Sequence, residues 1–221
     1  MAIPPNTPPH QPPSVPGRLR EQTQDAILQA AEEIIGQEGV ALARTDAIAA
    51  QAGVSVGTLY KHFGDREGLI GALIESRQSE LLDQFRTLVA APGETFVGDL
   101  HRFFAVFEHA GKRHGRLFAA TMNDEVGART WHCKRDEIFA ELMAIIDVLL
   151  HRGQEEGVIA PRGDRMHVLA ALSLGRMMLF HTCLGGFAPD RHEIVDFFLH
   201  GAATRVHGQG TFHGQDTKAR L

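Results

Sequence analysis

An all-α fold is predicted from three features of the sequence. Apolar residues recur at helical spacing in successive segments, as at Ala26, Ile27, Ala30, Ala31, Ile34 and Ile35. Gly and Pro punctuate those segments at Gly39, Gly53, Ala91-Pro92-Gly93 and Gly157. No alternating apolar-polar run joined by a hairpin turn competes with them. Apolar residues make up 43% of the chain, enough to furnish a core.

The elements follow in order. Seven prolines fall between Pro4 and Pro16; they remove amide donors and fix φ, so residues 1–17 read as a disordered, polyproline-like tail. A first helix carries the Ala26–Ile35 stripe and stops at Gly39. Thr45 is a good N-cap for a short second helix bearing Ile48, Ala49 and Ala52, which Gly53 breaks. Ser55 caps a third helix with Val56, Leu59 and Phe63 turned inward. Asp65 caps a long fourth helix burying Leu69, Ile70, Leu73, Ile74, Leu81, Leu82, Phe85 and Leu88. Leu100, Phe103, Phe104 and Phe107 mark a fifth helix, and Leu117 to Met122 a short separate one. Ile138, Leu142, Ile145, Ile146, Leu149 and Leu150 mark a long helix ending near Gly157. Asp164 caps another, to about Leu184, and Pro189 opens the last, with Ile194, Phe197, Phe198 and Leu199. Residues 206–221 are Gly-rich and polar and read as a loose tail.

The second and third helices, joined at Gly53, have the spacing of a helix-turn-helix. Ala49 is small enough for the third helix to cross above it, Gly53 suits a positive φ, Val54 plugs the turn and Leu59 anchors from below. With Val56, Leu59 and Phe63 inward, the third helix shows Ser55, Gly57, Thr58, Tyr60, Lys61 and His62. Hydroxyls, an amine, an imidazole and a phenol suit phosphate oxygens and base edges, and no carboxylate interrupts them. The chain as a whole carries a net charge of −5, and residues 18–70 hold five Lys/Arg against eight Asp/Glu. Affinity for DNA leans on cations, so any positive charge must gather on one face.

The run from Thr45 to Leu69, with Gly-Thr-Leu-Tyr-Lys-His-Phe at its centre, resembles the N-terminal domain of the tetracycline-repressor (TetR) family over about residues 20–75. The resemblance implies a DNA-binding transcriptional regulator and assigns Thr45 to a phosphate and Ser55, Gly57, Thr58 and Lys61 to bases and nearby phosphates. It makes Tyr60 and His62 backbone clamps. Arg66 stands where a Lys is usual, and Arg18, Arg20 and Arg44 are further phosphate contacts. A dimeric repressor on a palindromic operator, released by a small, mostly hydrophobic effector, is implied in turn.

This divides the chain into the tail 1–17, a helix-turn-helix domain 18–66, a helical-bundle ligand-binding and dimerisation domain 67–205 and the tail 206–221. Phe103, Phe107, Phe118, Met122, Trp131, Phe139, Met143, Met177 and His181 are candidate pocket residues, for each of which plain core packing is the rival reading. The helix from Met166 is apolar on nearly every side and calls for cover from a second copy, with the last helix beside it. No nucleophile elbow, phosphate loop or metal-spaced carboxylate pair suggests an enzyme or a cofactor. Thirteen histidines and the separate Cys133 and Cys183 leave a metal-responsive protein as an alternative. A protein-interaction module that keeps the helix-turn-helix is another, favoured by the acidic balance of the first domain. Without a secretory signal pattern or a long apolar run, the expected location is the cytoplasm.

Overall fold

The computed structural model describes residues 15–122, 124–133, 135–159, 164–183 and 190–202. Nine helices and no strand occur among them: α1 (Val15–Glu38), α2 (Thr45–Gln51), α3 (Val56–Phe63), α4 (Arg66–Ala90), α5 (Phe96–Met122), α6 (Glu125–Cys133), α7 (Arg135–Glu155), α8 (Asp164–Cys183) and α9 (Arg191–Ala202). The all-α expectation therefore holds.

Helix α1 opens at Val15, so Pro16 and Gly17 of the expected tail belong to its first turn, where a missing amide proton breaks no intrahelical bond. Ser55 and Asp65 cap as the sequence predicts: Ser55 Oγ accepts from Thr58 N at 3.1 Å and Asp65 Oδ1 from Gly68 N at 2.7 Å. Thr45 does not cap α2. The N-cap is Arg44, without a side-chain cap bond, and Thr45 is the first helical residue. Gly53 sits at φ +70° between α2 and α3, a left-handed conformation that a side chain would strain.

Two sequence boundaries change. The expected break between Phe107 and Leu117 is absent, and α5 runs 27 residues without interruption. Its middle, Gly111-Lys-Arg-His-Gly115, has weak helix propensity, but Ala110, Gly111, His114 and Gly115 are buried, and packing overrides propensity. The segment Glu125–Cys133, left unassigned by the sequence, is helix α6, held at its start by Asp124 Oδ1, which accepts from Val126 N at 2.9 Å. Pro189 lies outside the described residues.

The side chains pack into two apolar clusters. One joins Ile27, Ala31, Ile34 and Ile35 of α1 to Ile48, Ala49 and Leu59 of the helix-turn-helix, and to Leu69, Ile70, Leu73 and Ile74 of α4. Leu117 of α5 completes it, with Val126 of α6 at its edge. This core thus continues past residue 66, where the sequence places the domain boundary. The second cluster is built on α5. Phe85 of α4 meets Phe103 and Phe107 at ring-centroid distances of 5.1 and 5.0 Å, and Ile146, Leu149, Leu172, Ile194 and Phe198 close around them. Helix α8 crosses α5 closely at Gly175, where an added Cβ would collide with the Phe107 ring.

A polar knot secures the turn between α4 and α5. Asp99, 1% exposed, accepts from Gly93 N and Arg102 Nη1, both at 2.8 Å, and from Arg152 Nη1 of α7. Arg152 also donates to the Gly93 carbonyl at 2.7 Å and to Glu156 at 2.9 Å, while Glu156 accepts from Phe96 N at 2.8 Å.

Candidate nucleic-acid interface

Helix α3 is a short amphipathic rod lying on α2 and α4. Leu59 is fully buried beneath it, and Val56 and Phe63 lean on the same cluster. That register turns Ser55, Gly57, Tyr60 and Lys61 to solvent, with Thr58 and His62 half-buried. Leu59 inward and Ser55, Gly57, Tyr60 and Lys61 outward match the sequence reading, while Thr58 and His62, expected on the exposed face, are half-buried like Val56 and Phe63.

The exposed ridge is internally ordered. Ser55 Oγ and Thr58 Oγ1 are 2.9 Å apart, which fixes both hydroxyls at the start of α3. The Tyr60 hydroxyl is 3.2 Å from Thr45 Oγ1, so two groups fifteen residues apart in sequence form one polar pair spanning α2 and α3. The ammonium of Lys61 stands free of any carboxylate among the described residues, next to His62 in the last turn of α3. The ridge thus offers hydroxyl donors and acceptors near its N-terminal end and an ammonium and an imidazole near its C-terminal end. A phosphodiester backbone and the major-groove edges of bases have the matching chemistry.

Two expected cations are otherwise engaged. Arg66 turns inward: its guanidinium donates to the Val40 carbonyl and, at 3.4 Å, to that of Ala43, fastening α4 to the turn before α2. Arg44 is exposed, but its fork grips Asp46 at 3.0 and 2.8 Å. That hydrogen-bonded pairing holds the Asp46 carboxyl below its usual range and the Arg44 guanidinium above its own. Neither engagement has a local sequence signal beyond the Arg44-x-Asp46 spacing. Arg18 and Arg20 are exposed on the first turns of α1.

Of the candidate pocket residues, only Phe103, Phe107 and Met143 meet among those described, and they meet in core packing. Phe103 and Phe107 are buried in the second apolar cluster and Met143 leans on it, while Phe118 is buried elsewhere, its ring beside that of His114. Met122, Phe139 and Met177 face solvent at 41, 41 and 38% exposure. Helical periodicity identified apolar positions on α5, α7 and α8 but not which side of each helix is covered. The side chains of Trp131 and His181 lie outside the described residues. A crevice of about 340 Å³ does open between α1, α4 and α5, but its walls are polar: Glu32, Glu33, Arg77, Arg113 and His114 among them.

Comparison with known proteins bears on both units. Residues 27–73 match the family model for bacterial regulatory proteins of the tetR family. The HTH-type transcriptional repressor Rv3405c of Mycobacterium tuberculosis is 30% identical over 105 residues, 48% of this chain and 49% of that one, so the match spans about half of that relative's length. The HTH-type transcriptional regulator EthR of Mycobacterium tuberculosis is 28% identical over 194 residues, covering 83% of this chain and 87% of its own. The transcriptional regulator FadR of Bacillus subtilis, solved in complex with stearoyl-CoA, superposes with a TM-score of 0.61 at 19% identity over 83% of this chain and 99% of that one, a likeness of fold. The helix-turn-helix is thus similar in sequence to the tetR family of bacterial regulatory proteins, and the chain as a whole is similar in fold to solved helical regulators.

Proposed function

We propose that the chain is a DNA-binding transcriptional regulator that reads a palindromic operator as a homodimer and is released from it by a small, largely apolar effector. The observation that carries the reading is the ridge on α3. Leu59 is sealed beneath it, the Ser55 cap is in place, the hydroxyls of Thr45 and Tyr60 are paired, and Lys61 is exposed without a counter-charge among the described residues. Ser55, Gly57, Thr58 and Lys61 read bases and adjacent phosphates; Thr45, Tyr60 and His62 hold the backbone, with Arg44 once it leaves Asp46. Arg66 serves the ridge from behind, by fixing the turn before α2.

Dimerisation is supported by an uncovered apolar side on the last two helices. Leu169 and Met177 of α8 are 45 and 38% exposed, eight residues apart on one face, and Phe197 of α9 is 66% exposed. Two copies facing one another across a two-fold axis would cover these side chains in a four-helix contact. The relatives named as transcriptional regulators and the repressor Rv3405c favour repression. An apolar effector fits a second unit rich in Phe and Met, and the stearoyl-CoA bound by the Bacillus subtilis FadR is in keeping with that class. Among the described residues no helix is long and apolar enough to cross a membrane, and a regulator of bacterial genes acts in the cytoplasm, where its DNA is.

The test is the double variant Tyr60→Ala, Lys61→Ala. It abolishes the shift of operator fragments selected from random DNA, while sedimentation still reports a dimer. A variant that holds those fragments as tightly as the parent overturns the reading and leaves the helix-turn-helix as a structural element of an interaction module.

A further inference from the structure

The place where the helix-turn-helix unit leans on the larger body is held by charge as well as by apolar packing. His114 of α5 is 6% exposed. Its Nδ1 lies 2.5 Å from Glu32 Oε1 on α1, and its Nε2 lies 3.7 Å from Glu80 Oε2 on α4. Arg77 of α4 donates to Glu32 at 2.7 Å and approaches Glu80 at 3.5 Å, and Arg113 of α5 reaches Glu80 at 3.1 Å. Glu33 and Asp25 of α1 line the same crevice, and the Phe118 ring lies 6.1 Å from the imidazole. One turn along α1, Gly36 lets the helix come against Arg116, where a Cβ would sit 3.2 Å from Arg116 Cβ. The imidazole therefore stands at the meeting point of three helices, between two carboxylates that belong to different ones.

Burial pushes the Glu32 carboxyl up, but the His114 hydrogen bond and the Arg77 guanidinium outweigh it and hold the group below the usual carboxylate range. Glu32 is thus ionised at neutral pH and acts only as an acceptor, so the proton between it and His114 sits on Nδ1, which donates. The other ring nitrogen is the variable one. Unprotonated, Nε2 turns a lone pair toward the Glu80 carboxylate; protonated, it presents an N–H and a positive charge to the same oxygen. Imidazoles change charge within the range of about pH 5 to 8.

We propose that His114 is a proton-operated clasp between the DNA-reading unit and the larger body. With both nitrogens protonated it draws Glu32 of α1 and Glu80 of α4 together, and with one proton it holds Glu32 alone. Acidification tightens the seat of α1 on α4 and α5 and restrains the swing of α3 relative to the rest of the molecule. The consequence for operator binding rests on the reading of the α3 ridge given above; the clasp itself does not.

A double-mutant cycle decides it: parent, His114→Gln, Glu80→Gln and the double variant, unfolded in urea at about pH 6 and about pH 8. The coupling between the two positions amounts to about threefold in the unfolding constant at the lower pH, the size expected of a part-exposed pair, and vanishes at the higher. Operator affinity measured in parallel changes between the two pH values by about threefold more or less in the parent than in His114→Gln; every group of the ridge is common to both and cancels. A coupling that is zero, or equal at both pH values, overturns the clasp. Should His114→Gln fail to fold, Glu80→Gln alone still decides, because its destabilisation must be larger at about pH 6 than at about pH 8. A protein that bound no DNA in any form would sink the operator reading while the cycle continued to judge the clasp.

Discussion

Replacing Asp99 by Ala removes the hub of the knot at the α4–α5 turn. The carboxylate is 1% exposed and accepts from one backbone amide and two guanidinium groups. Hydrogen bonds to a charged group contribute roughly 1.5–3 kcal/mol each. Three taken at face value overstate the loss, because the donors do not stay stranded. The Arg102 side chain is 44% exposed and turns to water, and Arg152 keeps Glu156 and the Gly93 carbonyl. What remains is an unsatisfied Gly93 amide and a part-buried Arg152 charge with one carboxylate fewer. That places the cost near the lower end of the roughly 3–5 kcal/mol expected when one partner of a buried pair is removed, so about 3 kcal/mol. For a chain of this size the thermal midpoint falls by about 6–12 °C. Asp99→Asn keeps a neutral acceptor for Gly93 and Arg102 and loses about half as much. The assay is far-UV circular dichroism on heating, beside operator binding at a temperature where both variants are folded. Operator affinity stays unchanged there, because the knot lies beyond the end of α4, about 37 Å along that helix from α3. An Asp99→Ala protein melting within about 1 °C of the parent would refute the reasoning, as would equal losses for Ala and Asn.

Two further outcomes follow from the charges. Asp46→Asn frees the Arg44 fork, so it raises operator affinity and steepens the dependence of log K on log salt by about 0.9, one added phosphate contact; fluorescence anisotropy across a salt series checks it, and an unchanged slope removes Arg44 from the interface. Two groups lose their stabilising contribution in turn on acidification, read as the difference in thermal midpoint between parent and variant against pH. Burial, His192 and Arg191 together hold His101 below the ordinary imidazole value of 6.5, with only Asp190 opposing, so its neutral form belongs to the native state and its contribution is lost as pH falls through that value; His101→Gln removes this first stage. Glu32, held below the ordinary 4.5, contributes stability that is present above that value and lost as pH drops through the lowered one; Glu32→Gln flattens this second stage. A His101→Gln or Glu32→Gln protein whose midpoint followed that of the parent at every pH would contradict the reasoning for that group.

The inward face of α3 was legible because it is local: Val56, Leu59 and Phe63 repeat at helical spacing, and Ser55 and Asp65 are capping residues where caps are needed. The continuity of α5 was not legible. The stretch from Gly111 to Gly115 has weak helix propensity, and only the burial of Gly111, His114 and Gly115 in the folded chain keeps it helical. Thr45 looked like a cap and is instead the partner of Tyr60, a choice set by where α3 lands. Arg66 kept the charge expected at the start of α4, but a guanidinium long enough to reach Val40 and Ala43 spends its donors on backbone. Glu32 and His114 are 82 residues apart, and no pattern along the chain links them.

The seat of Leu117 in the first apolar cluster has a practical consequence. A fragment cut at the end of the helix-turn-helix would lose that plug together with the buried half of α4, and would bare Ile27, Ile35 and Leu59 to water. Chimaeras that graft this binding head onto another regulator must therefore carry along, or rebuild, the stretch of α5 and α6 around Leu117 and Val126. Sequence-defined cut sites between the two halves would separate residues that fold as one.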